Sequence, residues 1–296
     1  MYGALWANPA KAKTIHARAA GFAVGTGEIK TGTNDIKLQM DKAGLAQPVC
    51  QSAVKQGAAQ ALIGPDQKIP YFTVRFALPI PPENDANLSG ALAGVDANVL
   101  AHNHSPGFEI LPDGDALAVW FSANDSRGAS ENANTTRFVQ ARLRYGSEQW
   151  DLPELFCDFE GLNDQSALLW NDAGTIRFFG GGRGVTPLLP FKLAASTNNG
   201  ATWTLSLPQL GKPAEDFTPQ PINSAFRGAD GAMYFAMDAE NNKSFLWRSA
   251  DGGVHWQELP GRTGARQSTI VPLDDEGSLL SIGGKNNAVN GWSPEN

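Results

Sequence analysis

The chain lacks any long apolar run. Nothing in it approaches the ~18 consecutive apolar residues of a membrane span, so no membrane partner is expected. It also lacks a Lys/Arg run. With 23 basic against 30 acidic residues its formal net charge is −7, which argues against a nucleic-acid partner, since phosphate binding needs a basic face. Charged residues are scarce, 18% against a usual ~25%. Two cysteines, Cys50 and Cys157, cannot build a disulfide framework, and their pairing is not deducible. The first ten residues show no basic segment followed by an apolar one, so no leader is visible. Gly-x-Ser-x-Gly and His-Glu-x-x-His are both missing. The run Gly180–Gly184 lacks the Gly-Lys-Ser/Thr ending and opens no helix, so it is not read as a phosphate cradle.

What is present points to β-structure. Hydrophobic residues make up 42%, enough for a sizeable core, and 32 Gly with 19 Pro imply many turns and few long helices. The 296 residues suit one large domain or two ordinary ones. Trp150, Trp203 and Trp256 are equally spaced, 53 residues apart. The residues before the last two also match. Ser196-Thr-Asn198-Asn-Gly200-Ala-Thr202-Trp203 aligns with Ser249-Ala-Asp251-Gly-Gly253-Val-His255-Trp256, whereas the stretch before Trp150 has no such box. In the same phase, short apolar stretches flank Gly-containing turns at Gly114, Gly174, Gly231 and Gly277, each reading as a strand pair. A third strand follows at Phe191–Ala195 and at Ser244–Arg248, then the box, then a fourth strand. Four strands every ~50 residues is the pattern of a propeller blade.

The two boxes resemble the Asp-box (BNR) repeat, Ser-x-Asp-x-Gly-x-Thr-Trp, of sialidase-like β-propellers, with Asn198 in place of Asp and His255 in place of Thr. The resemblance implies an all-β, sialidase-like β-propeller of about six blades in the complete ring. Units beginning near His102, Asp164, Thr218 and Ala265 supply roughly three and a half of them. Residues 96–296 are therefore expected to form a partial, C-terminally truncated propeller. Residues 1–95 are read as an N-terminal segment and linker, serving as a leader or as a strand of the ring. Within them Asp35–Gly64 could hold short helices and Ile69–Ile80 alternates like a strand.

Propeller geometry divides the functional candidates from the structural ones. The turn between a blade's third and fourth strands lies at one end. The entry to the first strand and the loop after the second lie at the other. The box residues Ser196, Asn198, Gly200, Trp203, Ser249, Asp251, Gly253 and Trp256 are thus structural. The other end is dense in His, Asp, Asn, Gln and Arg, as a sugar site would be: polar donors for hydroxyls and Arg to clamp a carboxylate. His102, His104, Asp125 and Asp164 are the catalytic candidates, and Arg127, Gln165, Arg183, Gln220, Arg262 and Arg266 the substrate-binding ones. For His102-x-His104 three roles are open: acid/base chemistry, a structural hydrogen bond, or metal ligation with a third ligand such as Asp164 or Asp216. No metal and no cofactor are expected.

The resemblance implies an exo-glycoside hydrolase acting on an acidic sugar of a glycan, with Asp125 where the family places its general acid. It also implies a secreted or periplasmic protein. The family's Phe-Arg-Ile-Pro motif is replaced here by His102-Asn-His104-Ser, its nucleophilic Tyr would fall in blades not present, and its partner Glu has no clear match. Two alternatives follow: a uronate-specific polysaccharide lyase using His and Arg, or a non-catalytic glycan-binding propeller. All three take an acidic oligosaccharide as partner.

Overall fold

The computed structural model describes residues 4–7, 14–18, 25–28, 77, 95–124, 131, 133–145, 150–182, 187–214, 217–263 and 265–283. The chain divides into two compact units, one of Met1–Asp96 with Ala141–Pro153, the other of Ala97–Gln140 with Glu154–Asn296. In the first unit β1 (Ala4–Ala7), β2 (Thr14–Arg18) and β3 (Gly25–Glu28) form an antiparallel sheet in that order. The helices considered for Asp35–Gly64 lie outside the described residues. So does the strand considered for Ile69–Ile80, apart from Ala77.

The second unit holds the repeat. Its first sheet is an antiparallel meander of β4 (His102–Ile110), β5 (Ala116–Ala123), β6 (Arg137–Leu143, of which Arg137–Gln140 belong to this unit) and β7 (Glu154–Cys157). The second sheet is β8 (Gln165–Asp172), β9 (Thr175–Gly181), β10 (Lys192–Ser196) and β11 (Thr204–Ser206). After β12 (Gln209–Leu210) comes the third, β13 (Phe217–Arg227), β14 (Met233–Ala239), β15 (Lys243–Ser249) and β16 (His255–Glu258). A last pair, β17 (Thr269–Pro272) and β18 (Leu279–Ile282), follows. The first strands β4, β8, β13 and β17 neighbour one another in series. These are three four-stranded blades and the first half of a fourth, the all-β propeller architecture expected. β12 departs from the plain meander. It leaves the second blade and pairs parallel with β16 of the third, Gln209 opposite His255 and Leu210 opposite Trp256.

Local chemistry explains the turns. Between β8 and β9, Ala173 (φ 49°) and Gly174 (φ 96°) both take positive φ, the conformation of a two-residue hairpin matched to strand twist. Asn171 accepts the Gly174 N–H at 2.9 Å. The core lies between blades. Every residue of β5 is buried, so it reads as continuous apolar sequence where a half-exposed strand would alternate. Phe178 and Phe179 are adjacent in β9 and point to opposite faces, as a strand requires. Phe178 joins Phe138, Leu117 and Ile176 against the first blade, while Phe179 joins Phe191, Phe235, Trp247 and Trp256 against the third. A smaller cluster of Phe226, Ala236, Leu246 and Ile270 joins the third blade to the fourth. Cys157 is half-buried, and burial pushes its thiol well above the usual range.

The repeated turn is built as its residues suggest. Ser196 Oγ donates to Asn198 Oδ1 and accepts the Gly200 N–H, both at 2.9 Å. Ser249 Oγ donates to Asp251 Oδ1 at 3.0 Å and accepts the Gly253 N–H at 2.9 Å. The sequence differences compensate. Asn198 Nδ2 donates to Thr202 Oγ1 at 2.9 Å, whereas the Asp251 carboxylate meets His255 Nδ1 at 2.6 Å. The His255 backbone N–H, then its ring, draw the Asp251 carboxyl down to about 2. Trp256 Nε1 donates to Gly253 O at 2.9 Å, while the buried Nε1 of Trp203 has no partner. Trp203 packs between the first two blades, its ring 5.1 Å from Phe156, and Trp256 between the second and third. Equal spacing also marked Trp150, but it is half-buried in the first unit and joins neither cluster. The stretch before it has no Ser/Asx/Gly turn to place it there.

Candidate functional site

The starts of the first strands and the ends of the second strands lie at one end of the sheets, opposite the repeated turns. On β4, His102 and His104 share a face by alternation, and Asn103 on the other face accepts the Trp120 Nε1–H at 2.8 Å. The strand then breaks register between His104 and Gly107, with Ser105 at φ 50°. Gly107 is required at this break. A Cβ there would stand 2.9 Å from Ala167 O and Leu169 N of the neighbouring β8.

Both imidazoles face Glu131, in the loop between β5 and β6. His102 Nε2 lies 2.7 Å from Glu131 Oε1 and His104 Nδ1 lies 3.6 Å from the same oxygen. The imidazole rings are 5.6 Å apart, and Phe121 approaches both, at 5.8 and 5.6 Å. The side chain of His104 is 54% exposed, while those of His102 and Glu131 are 19% and 28% exposed, so the cluster opens on one side. The second blade fixes it from below. Asn163 Nδ2 donates to Glu131 O at 2.6 Å and to Ala133 O at 2.9 Å, and Gln165 Nε2 also donates to Glu131 O. The loop after β9 in turn backs onto Asn163. Gly182 (φ 120°) sits so close that a Cβ would come within 1.8 Å of Asn163 O. The glycine run at 180–184 thus has a packing reason at Gly182.

Asp164, an expected catalytic acid, is corrected by its surroundings. It is fully buried and pairs with the buried Lys192, Nζ to Oδ1 2.6 Å. Lys192 spends its remaining donors on Asn163 O and Gly181 O, both at 3.0 Å. Asp164 Oδ2 accepts the Phe159 N–H at 2.9 Å. Burial pushes the Asp164 carboxyl up to about 6 against the pull of the ammonium. This pair is a structural joint under the site and offers nothing to a ligand.

The other expected residues fall in two places. Gln220 and Arg266 come together in the third and fourth blades, where Arg266 Nη2 donates to Gln220 Oε1 and Nε donates to the buried Asp238 at 2.6 Å. Asp238 also accepts the Gln267 N–H at 2.8 Å. Arg262 is held apart from both clusters. It pairs with Glu258, donates to Leu259 O at 2.8 Å, and lies over the Phe245 ring at 4.6 Å. Asp125, Arg127 and Arg183 lie outside the described residues. The site as found therefore unites His102, His104 and Gln165 with Glu131 and Asn163. Glu131 was missed because it is one acid in the loop eight residues past the end of β5, where no repeated pattern marks it. Lys192 was missed too, although a lone Lys in the apolar strand Phe191-Lys-Leu-Ala-Ala is a signal for a buried partner.

A cleft of about 440 Å³ lies elsewhere, lined by Arg177, Phe179, Leu193, Val254 and Trp256 among others. It borders the second repeated turn and contains none of the expected catalytic or substrate-binding residues.

No protein-family model matches the chain, and no curated protein matches it either. Solved structures do. A mutant of NanB sialidase from Streptococcus pneumoniae aligns with 61% of this chain at 10% identity and a TM-score of 0.43. Trypanosoma rangeli sialidase in complex with sialic acid aligns with 60% at 13% identity and a TM-score of 0.40. The protein titled Bacteroides ovatus Xyloglucan PUL GH43B aligns with 94% at 11% identity and a TM-score of 0.45. The alignments span 48%, 33% and 47% of those proteins, so this chain corresponds to half of their length or less.

Proposed function

We propose that the chain acts on an acidic glycan at the end of the propeller carrying His102, His104 and Glu131, and that its repeated turns are Asp boxes serving the scaffold. The convergence of two imidazoles on one carboxylate, open to solvent on one side, carries this reading. Imidazole and carboxylate side chains within reach of a substrate are the usual groups of acid–base catalysis. Hydrolysis by two carboxylates would need a second acid roughly 5–9.5 Å from the first. Among the described residues Asp164 and Asp238 are instead locked in buried ion pairs. A sialidase-like hydrolysis therefore leans on Asp125, Arg127 and Arg183. The cluster itself favours elimination on a uronate. A base drawn from it removes the proton α to the carboxylate, the C–O bond to the leaving sugar breaks, and the released oxygen takes up a proton. The protein would then work outside the cytoplasm, where such polymers occur.

The test is an incubation of the 296-residue chain with uronate-containing and sialylated oligosaccharides, followed by product analysis. Elimination yields an unsaturated uronate absorbing in the ultraviolet. Reducing ends without that absorbance would favour hydrolysis, and binding without either product would leave a lectin. No product and no binding refutes the reading.

A further inference from the structure

We propose that His102, His104 and Glu131 form a binding site for one divalent transition-metal ion of the zinc class. The three donors, one imidazole nitrogen from each His and a carboxylate oxygen, lie within 4.8 Å of one another. Two neutral imidazoles and one carboxylate are the ligand set of open, catalytic-type zinc sites, which keep a further position for water. Sequence and backbone both prepare the set. A His-x-His pair on a strand presents both rings on one face, and the register break between His104 and Gly107, with Ser105 at φ 50°, bulges the strand immediately beyond.

The distances leave little to change. Bonds of about 2.05 Å at tetrahedral angles put neighbouring donors roughly 3.3 Å apart. Here the pairs to Glu131 Oε1 stand at 2.7 and 3.6 Å. Moving the first outward by about 0.6 Å and the second inward by about 0.3 Å brings both to that spacing, within reach of side-chain rotation, and the two imidazole nitrogens already lie within 4.8 Å of each other. Among the described residues, the groups paired with the Glu131 carboxylate are these two imidazoles and no Lys or Arg. The support behind it suits a ligand. Two amide side chains, Asn163 and Gln165, hold the Glu131 backbone carbonyl, and Phe121 closes the side away from solvent. The exposed flank of His104 leaves room for water or a substrate oxygen.

This goes beyond the proposed function and does not depend on it. With an ion in place the imidazoles are ligands, and the proton acceptor becomes the ion's own water, whose pKa the charge lowers. The ion also supplies the positive charge that Arg262 and Arg266, committed to Glu258 and Asp238, do not.

The experiment uses the 296-residue chain without an affinity tag. Calorimetric titration with zinc should give one ion per chain. Cobalt in its place should show visible absorption of a four- or five-coordinate ion. Proton NMR should show the His102 and His104 ring resonances shifting with one equivalent of zinc while those of His255 stay, a reading that needs no variant. Glu131→Gln and His104→Ala should each weaken binding by at least about 100-fold, the scale at which even outer contacts act. Zinc that binds without moving those two rings, or that binds as tightly to the Glu131→Gln/His104→Ala double variant, overturns the site. So does an absence of stoichiometric binding. Glycan turnover plays no part in this readout, so failure of the functional reading would be seen separately.

Discussion

Replacing Lys192 by Met tests the joint beneath the site. Its ammonium makes three contacts, to Asp164 Oδ1 at 2.6 Å and to the carbonyls of Asn163 and Gly181 at 3.0 Å, all buried. Met fills much of the space but leaves a carboxylate with only the Phe159 N–H for company. Breaking a buried pair from one side costs about 3–5 kcal/mol, because a charge is left uncompensated. Replacing both partners, Lys192→Met with Asp164→Leu, should cost less than either single change, since no charge then remains. The pH dependence follows from the same contacts. Burial raises the folded-state pKa of Asp164 above its ordinary value, to about 6 even beside the ammonium, and losing Lys192 raises it further. An acid raised on folding binds its proton more tightly in the folded state. The protein is then favoured at low pH and loses that stability as pH rises through the window above about 4. The Lys192→Met penalty should therefore be larger at pH 8 than at pH 5. Urea unfolding followed by tryptophan fluorescence at the two pH values measures it, with Trp247 and Trp256 buried as reporters. A variant within about 1 kcal/mol of the parent at both pH values would refute the reasoning.

Two further outcomes follow from the packing. Trp256→Phe forfeits the bond to Gly253 O and should cost about 1 kcal/mol more than Trp203→Phe, which removes a buried N–H that already has no partner. Thermal melts of the two variants give the comparison, and equal losses would contradict it. Gly182→Ala cannot be accommodated without moving backbone, because its Cβ would collide with Asn163 O. It should destabilise by more than the roughly 1–3 kcal/mol of a strained φ alone and disturb Asn163, Gln165 and Glu131. Urea denaturation checks the first effect, and NMR shifts of the His102 and His104 rings check the second.

The architecture was legible because it repeats. One blade fixes the period, and the Ser/Asx/Gly turn with its Trp marks the phase in two of them. Gly174 and Gly231 mark hairpins whose φ only glycine adopts freely. Where the mark is absent the phase is harder to read: Trp150 has the spacing without the turn, and it falls in the first unit. The site was half legible. A His-x-His pair at a strand entry is visible in any sequence, but Glu131 meets it only through a loop fold that no periodicity encodes. Asp164 carried the opposite error. Its position at a strand entry is right, yet its partner sits 28 residues away in β10, and only the packing of β8, β9 and β10 reveals that the carboxylate is spent. Polar residues at a propeller axis thus divide into those that meet solvent and those that hold blades together, a division set by the third dimension.

β12 carries a consequence of its own. By crossing to lie parallel beside β16, with Gln209 N donating to Val254 O at 3.0 Å, the linker out of the second blade covers the outer edge of the third. An edge so covered offers less template for a foreign strand. The stitch also ties the order of events during synthesis. Residues 209 and 210 leave the ribosome some 45 residues before their partners, so the second blade's exit stays loose until the third blade's last strand arrives. From then on the two blades open together: amides of β12 and β16 should exchange with solvent at one shared rate, as parts of a single cooperative block.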